Sequence, residues 1–378
     1  MNVLIAIDSF KGSLSSIELA DTIESGIHEV SSDIIIQKAP IADGGEGTID
    51  TLINSVGGEK IEVKVKGPLF KEVLAYYGIL NDKTAIIEMA VASGLTLVPG
   101  HLRNPMHTTT YGIGQLINDA IARGCRDFLI GIGGSATNDA GIGMLTALGY
   151  KFLDKENNEL APIGSSLIKI ATIDSSQVKE SIKQCKFTIA CDVDNPFYGS
   201  QGAAQIYATQ KGADKEEVLI LDRGLKNFSD VIARELDNDI SLVKGAGAAG
   251  GLGGGFKAFL DAKLKPGVEI IFEKIALEEK IKWADIIITG EGRLDHQTAM
   301  GKAPVGVGKL ALRYNKRVIA LAGSVAEDAA ILHDYGITEM HSIIDGPMTL
   351  EEAMDSKNTR RMLKKKVVEI FRLINKSD

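Results

Sequence analysis

The chain has 378 residues, 42 basic and 50 acidic side chains, and a formal net charge of −8. At about 150 residues per domain this length suggests two domains, or three, while the acidic balance and an aromatic content of 5% argue against a nucleic-acid surface, which needs a basic patch and stacking platforms. No stretch approaches the ~20 apolar residues that span a bilayer, and Met1-Asn2-Val3-Leu4 lacks the basic start of a signal peptide, so a soluble cytoplasmic protein with no membrane partner is expected.

Val3 to Ile7 reads as a short apolar strand. Ser15 or Ser16 can then cap a helix carrying Ile17, Ala20, Ile23 and Ile27, and Glu18 completes a capping box with Ser15. Ile34 to Ile36 is the next strand, and Asp43-Gly44-Gly45-Glu46-Gly47-Thr48 opens a helix through Leu52 and Ile53. This strand–helix alternation starts a parallel sheet. From Gly57 the pattern changes. Lys60 to Lys66 alternates polar and apolar, as a half-exposed antiparallel strand does, and Leu74–Leu80 and Thr84–Met89 continue as strands. A helix with Ile113, Leu116, Ile117 and Ile121 ends at Gly124, followed by strands at 128–132 and 187–190. Residues 151–184 are polar and read as peripheral. Seven glycines in eleven residues at 245–255 interrupt the chain most strongly. Strands at 285–289 and 317–322 flank a helix near 305–312, and a closing helix runs from about 350 to 373. Its basic cluster, Arg360, Arg361, Lys364, Lys365 and Lys366, reads as a solvated face.

The two ends thus look alike and enclose mixed material. The expected fold class is α/β with two α/β domains: a discontinuous one over 1–60 plus 284–378 with a largely parallel sheet, and an inserted one over 61–283 with a mixed sheet. Two consecutive domains dividing near 280 are the competing arrangement.

Four apolar runs end in loops of glycine with acids or small hydroxyl residues: after Ile36, after Ile130, after Ile189 and after Ile288. Open α/β sheets bind ligands at the carboxyl ends of parallel strands. Glycine admits phosphate to backbone N–H groups, and carboxylates there can hold Mg²⁺ or accept a proton. Together these loops point to phosphoryl transfer. The loop at 43–48 suits an anion at a helix start, with Asp43 or Glu46 as a simple helix cap the plain alternative. Gly133-Gly134-Ser135-Ala136-Thr137-Asn138-Asp139 suits a nucleotide phosphate or ribose, or is a capped strand–helix turn. Asp192 closes an apolar strand. Glu291, Arg293 and Asp295 form a mixed-charge loop suited to metal or a substrate carboxylate, unless Arg293 and Asp295 simply pair. Gly245 to Gly250 matches GxGxxG, but the strand before it is poor, so a Rossmann site is a weak reading beside a hinge or a backbone-lined ligand loop. There is no GxxxxGK[ST], HExxH or GxSxG. Cys125, Cys185 and Cys191 fit no disulfide framework and read as inert core thiols.

With these segments in hand the chain resembles the glycerate kinase type 1 family. The resemblance is carried by Ile7-Asp8-Ser9-Phe10-Lys11-Gly12-Ser13, Ala42 to Thr48, Thr108-Thr109-Thr110-Tyr111-Gly112, Gly131 to Asp139, Cys191-Asp192-Val193-Asp194-Asn195-Pro196, Gly245 to Gly251, and Thr289-Gly290-Glu291-Gly292 through Thr298. Asp194, where a small or hydroxyl residue is expected, is a local departure. The resemblance implies ATP-dependent phosphorylation of D-glycerate, on two α/β domains with the active site in the cleft between them, one of them flavodoxin-like.

On that footing the expected roles are as follows. Lys11 meets the transferring phosphate or the substrate carboxylate. Asp192 accepts the hydroxyl proton, with Asp295 as second choice. Arg293, with Ser9 and Asp43, binds glycerate. Asp43 and Glu291 are the Mg²⁺-side carboxylates. Gly133, Gly134, Ser135 and Asn138, together with Gly247 and Gly250, cradle ATP. A nicotinamide-dependent hydroxy-acid dehydrogenase and a non-enzymatic nucleotide or small-acid sensor are the alternatives. The expected product is 2- or 3-phosphoglycerate.

Overall fold

In the computed structural model, which describes residues 1–42 and 47–376, the chain opens with β1 (Asn2–Ile5), α1 (Ser16–Val30), β2 (Ile35–Lys38) and α2 (Thr48–Val56). It continues through β3 (Gly58–Lys66), β4 (Glu72–Leu80), β5 (Thr84–Glu88), α3 (Ala90–Ser93), α4 (Tyr111–Ala122), β6 (Asp127–Gly131) and α5 (Ile142–Ala147). Then come β7 (Lys151–Leu153), β8 (Thr172–Asp174), α6 (Glu180–Lys183), β9 (Lys186–Ala190), α7 (Ala203–Tyr207), α8 (Lys215–Leu236), α9 (Ala248–Leu260) and β10 (Lys263–Lys265). The last part holds α10 (Gly267–Lys274), α11 (Leu277–Trp283), β11 (Ile286–Leu294), α12 (Ala303–Arg313), β12 (Arg317–Val325), β13 (Glu339–Ser342), α13 (Leu350–Met354) and α14 (Ser356–Ile374).

The chain divides into two compact units, one of Met1–Asp43, Asn54–Val56 and Val268–Asp378, the other of Gly44–Ile53 and Gly57–Gly267. The first unit is built on a five-stranded sheet in the order β13-β12-β11-β1-β2, with every pairing parallel. In chain order within the unit this is 2-1-3-4-5, a doubly wound arrangement whose order reverses between β1 and β11. Alternation decides which side chains meet which helices. Val3, Ile5, Ile286, Ile288, Ile319 and Leu321 pack with Leu19, Ile23 and Ile27 of α1 and Leu363, Val367 and Phe371 of α14. On α1 the capping box is present: Ser15 Oγ accepts the Glu18 N–H while Glu18 accepts the Ser15 N–H. The closing helix is two helices. Asp355 caps α14 by accepting the Asn358 N–H, and this break was not expected over 350–373.

The second unit carries a six-stranded mixed sheet, β10-β9-β6-β5-β4-β3. β3, β4 and β5 pair antiparallel, whereas β5, β6, β9 and β10 run parallel. β3 is the expected half-exposed strand, with Ile61, Val63 and Val65 on its inner side. Two expectations are corrected here. Residues 151–184 are not merely peripheral, since Phe152, Leu167, Ile170 and Ile182 belong to the core. The glycine run does not remain a loop. Ala249, Gly250 and Gly251 hold left-handed backbone angles, and α9 continues in helical conformation beyond them. Helical glycine is normally costly, and its reason here is close packing: a Cβ on Gly254 would lie 2.6 Å from the Phe197 ring, and one on Gly253 or Gly255 would strike the carbonyl of Gly245 or Ala140.

Candidate active site

In the first unit the candidate residues gather at the carboxyl ends of β1 and β11, where the strand order reverses. The Asp8 N–H donates to the Gly290 carbonyl at 3.1 Å, so the chain beyond β1 stays joined to β11. Asp8 is buried, and one of its oxygens accepts the Ser9 N–H at 2.6 Å. Lys11 is exposed on the following turn. Gly292 has the Lys11 amide nitrogen 4.0 Å from where its Cβ would stand, which brings the Ser9–Lys11 turn beside the Glu291–Arg293 segment.

Arg293 points largely into solvent and pairs through Nε with Asp295 Oδ2 at 3.3 Å. The plain ion pair is therefore present. The other Asp295 oxygen accepts the Gln297 N–H at 2.9 Å. Glu291, expected beside Mg²⁺, is buried and already engaged at both oxygens: Thr298 Oγ1 donates to Oε1 at 2.5 Å and Lys302 Nζ to Oε2 at 3.1 Å. Each Glu291 oxygen thus has one donor in place. Among the described residues no group of three or more His, Cys, Asp or Glu side chains is arranged to hold a metal ion. Asp43 lies outside the described residues.

In the second unit the parallel strands β5, β6 and β9 end at Glu88, at Gly131 and at Ala190. Gly133 and Gly134 are exposed, and among the described residues no atom beyond the chain neighbours lies within 4 Å of the point where a Gly133 Cβ would stand. Gly134 adopts φ +74°, a left-handed angle that glycine takes readily. Ser135 is half-buried. The next three residues behave differently. Thr137, Asn138 and Asp139 are fully buried, and neither Thr137 Oγ1 nor the Asn138 carboxamide atoms have a hydrogen-bond partner among the described residues. Asp139 accepts from the Thr110 N–H and Oγ1, both at 2.8 Å, and from the Gly141 and Gly143 N–H groups, both at 3.2 Å. Burial pushes its carboxyl upward, against those four bonds. Thr110 therefore serves this carboxylate, while Thr108 Oγ1 donates to the Ala136 carbonyl at 2.9 Å.

The glycine motif at 245–251 packs onto the same loop. The Ala140 N–H donates to the Gly250 carbonyl at 3.0 Å, and a Gly250 Cβ would fall 2.5 Å from Asn138 Cα and closer still to the Thr137 carbonyl. The Gly247 N–H donates to the Asn195 carbonyl at 3.0 Å, tying in the segment after β9. No strand directly precedes Gly245, so the run is not a dinucleotide turn. Asp192 is exposed, and its Oδ1 accepts the Gly267 N–H at 2.9 Å, a bond that links the ends of β9 and β10. Asp194 pairs with exposed Lys244 at 3.2 Å. Burial raises the Cys191 thiol, as expected of an inert cysteine.

Two residues escaped the sequence analysis. Glu88 is buried and accepts the Ile49 N–H at 2.9 Å, with the Gly47 and Thr48 N–H groups also on its carboxylate. The anion expected at the start of α2 is therefore a side chain of the protein. An acid closing the apolar run Ala85-Ile86-Ile87 was the available signal. Lys211 is buried and donates from Nζ to the Thr137 carbonyl at 2.7 Å. No pattern marks it.

A sequence model described as the glycerate kinase family matches residues 3–375. A protein named glycerate kinase from Halalkalibacterium halodurans is 46% identical over 353 residues, 93% of each chain. One named glycerate 2-kinase from Escherichia coli K12 is 45% identical over 354 residues, again 93% of each. A solved structure from Salmonella typhimurium LT2, titled as a glycerate kinase 2, superposes with a TM-score of 0.91 at 41% identity, covering 100% of this chain and 99% of that one.

Proposed function

Because the chain belongs to the glycerate kinase family, we propose that it transfers the terminal phosphoryl group of ATP to a hydroxyl of D-glycerate, releasing ADP and a phosphoglycerate. The observation that carries the nucleotide side is the exposed Gly133-Gly134 turn beyond β6, with open space among the described residues where a Gly133 Cβ would stand. Their N–H groups, with the Ser135 hydroxyl, would bind phosphate oxygens. Gly250 backs that loop through close backbone contact with Thr137 and Asn138, while Gly247 backs the Asn195–Pro196 segment after β9. On the acid side, Lys11 and Arg293 supply cations at the switch point of the parallel sheet, for the transferring phosphate and the glycerate carboxylate respectively. Ser9 offers a hydroxyl beside them, and Asp43 completes the assignment.

The transfer balances simply. The substrate oxygen forms a bond to the γ-phosphorus, the bond from that phosphorus to the β-bridging oxygen breaks, and the hydroxyl proton passes to a carboxylate. Asp192 is assigned that proton, since it is exposed and oriented by the Gly267 N–H; Asp295, held by Arg293 and the Gln297 N–H, is the second choice. Catalysis of this kind is chiefly positioning and charge neutralisation. Mg²⁺ bound with the phosphates would supply further neutralisation, with Asp43 and Glu291 as the carboxylates that would face it through waters, of which Mg²⁺ usually retains several. The cytoplasm is the proposed location, consistent with the absence of any helix among the described residues long and apolar enough to cross a membrane.

A coupled ADP-release assay with D-glycerate tests the proposal. Turnover that needs both ATP and D-glycerate is expected, and product NMR then distinguishes the 2- from the 3-phosphate. Absence of glycerate-dependent ADP release would overturn it, and NADH binding without ATP binding would favour a dehydrogenase.

A further inference from the structure

Two buried charges lie against the loop that carries Gly133, Gly134 and Ser135, and the transfer as proposed uses neither. Lys211, closing the turn Thr209–Lys211, is 6% exposed. An ammonium has three N–H donors, yet the bond to the Thr137 carbonyl is the hydrogen bond it makes among the described residues. Lysine is almost never fully buried unless another charge answers it. The charge that acts on it is Asp139, itself fully buried. Of the other charged groups nearby in the chain, Glu217 of α8 is taken by Asn104 Nδ2 at 2.6 Å and by the Asp214 N–H, and Arg103 Nε donates to the Val98 carbonyl.

We propose that Lys211 is a positioning residue for nucleotide binding: its ammonium fixes the Thr137 peptide of the glycine loop from the buried side and offsets the Asp139 charge, so that phosphate meets the loop's N–H groups with no net negative charge behind them. This rests on the nucleotide reading of that loop. Burial pulls the Lys211 ammonium down to about 7, with Asp139 opposing the fall. When the lysine loses its proton, Asp139 stands uncompensated. By linkage, bound phosphate favours the protonated lysine, so affinity is full below the lysine's pKa and declines above it.

The test is calorimetric titration of the full chain with ATP in MgCl₂ at pH 6.5, 7.5 and 8.5, in two buffers of different ionisation enthalpy. Wild type, Lys211→Met and Lys211→Gln are compared. Wild-type affinity should fall about tenfold across that range, within the usual span of coupled sites, with proton uptake on binding at pH 7.5. Both variants should bind at pH 6.5 about as weakly as wild type does at pH 8.5, show little pH dependence, and leave the KM for D-glycerate within about twofold. Gln retains an N–H donor for Thr137, so a Gln variant with wild-type affinity and pH response removes the role of the charge. Should Lys211→Met fail to fold, the Gln variant and the wild-type proton uptake still decide. Wild-type ATP binding that is flat with pH and takes up no proton overturns the role of Lys211 alone, whereas a wild type that binds no ATP overturns the nucleotide reading with it.

Discussion

Gly250 and Gly133 both sit in glycine-rich motifs, yet the structure gives them opposite reasons for being glycine, and the same substitution separates them. Gly250 has φ +70°, where a side chain costs about 1–2 kcal/mol. Its new methyl would stand 2.5 Å from Asn138 Cα and press on the Thr137 carbonyl. These are backbone atoms that cannot rotate away, and such overpacking typically costs a further 1–3 kcal/mol. Gly250→Ala should therefore destabilise the protein by about 2–5 kcal/mol, a large share of the 5–15 kcal/mol that holds a typical domain. At a urea m-value of about 3 kcal/mol/M this lowers the unfolding midpoint by about 1 M. Gly133 has open space at its Cβ position among the described residues and no left-handed angle. Gly133→Ala should leave stability unchanged or raise it by up to about 1 kcal/mol, while a methyl beside the phosphate path raises the KM for ATP about tenfold, or about 1.4 kcal/mol. Urea unfolding followed by circular dichroism, with ATP saturation kinetics on the same samples, gives both numbers. If Gly250→Ala unfolds with the wild-type midpoint, or Gly133→Ala is as destabilised as Gly250→Ala, the division into packing and ligand glycines is wrong.

Asp192→Asn should lower kcat by about 10² to 10⁴-fold with little change in KM; near-normal turnover removes it as the base. Lys11→Ala should reduce kcat/KM for the complete reaction, and full retention would count against its place on the phosphate or the substrate carboxylate. Thr298→Val strips Glu291 Oε1 of its donor and should cost about 1–3 kcal/mol in urea unfolding; an unchanged midpoint would show that the bond contributes nothing. Lys211 is held near 7 when folded, against 10.5 ordinarily, so between those values the unfolded chain binds the extra proton and stability rises with pH. The slope due to this group reaches about 1.4 kcal/mol per pH unit, and the difference between wild type and Lys211→Met in unfolding free energy should show it; parallel curves for the two would refute it.

Much of the first unit was legible because local signals and burial agree there. Ser15 and Glu18 form their box as read, and the isoleucine run before Thr289 is the core strand of an all-parallel sheet. What escaped depends on contacts far along the chain. Nothing local to Asn138 says that Gly250 will close over it, or that Lys211 will reach the Thr137 carbonyl from 74 residues away. Turn propensity made 245–255 look like a loop, and tertiary packing against Phe197 and Ala140 overrode it. The break at Asp355 was readable as a cap and was hidden by the strong apolar periodicity that follows it in α14. For the site, glycines and acids were found but not sorted: Asp139, inside a motif read as nucleotide-binding, serves the protein's own backbone, as does Glu88, which was missed.

The sheet of the first unit has a consequence for how the chain is made. β1 is hydrogen-bonded on one side to β11, with Val3 opposite Ile286, and α1 is covered by α14. At about 5–20 residues per second, on the order of 15 s to a minute of translation separates these partners. The leading forty residues therefore emerge with their apolar faces uncovered, while the whole of the second unit becomes available to fold behind them. Limited proteolysis of ribosome-stalled chains should find the stretch around 57–267 protected first and the amino terminus cut until the last helix has been released.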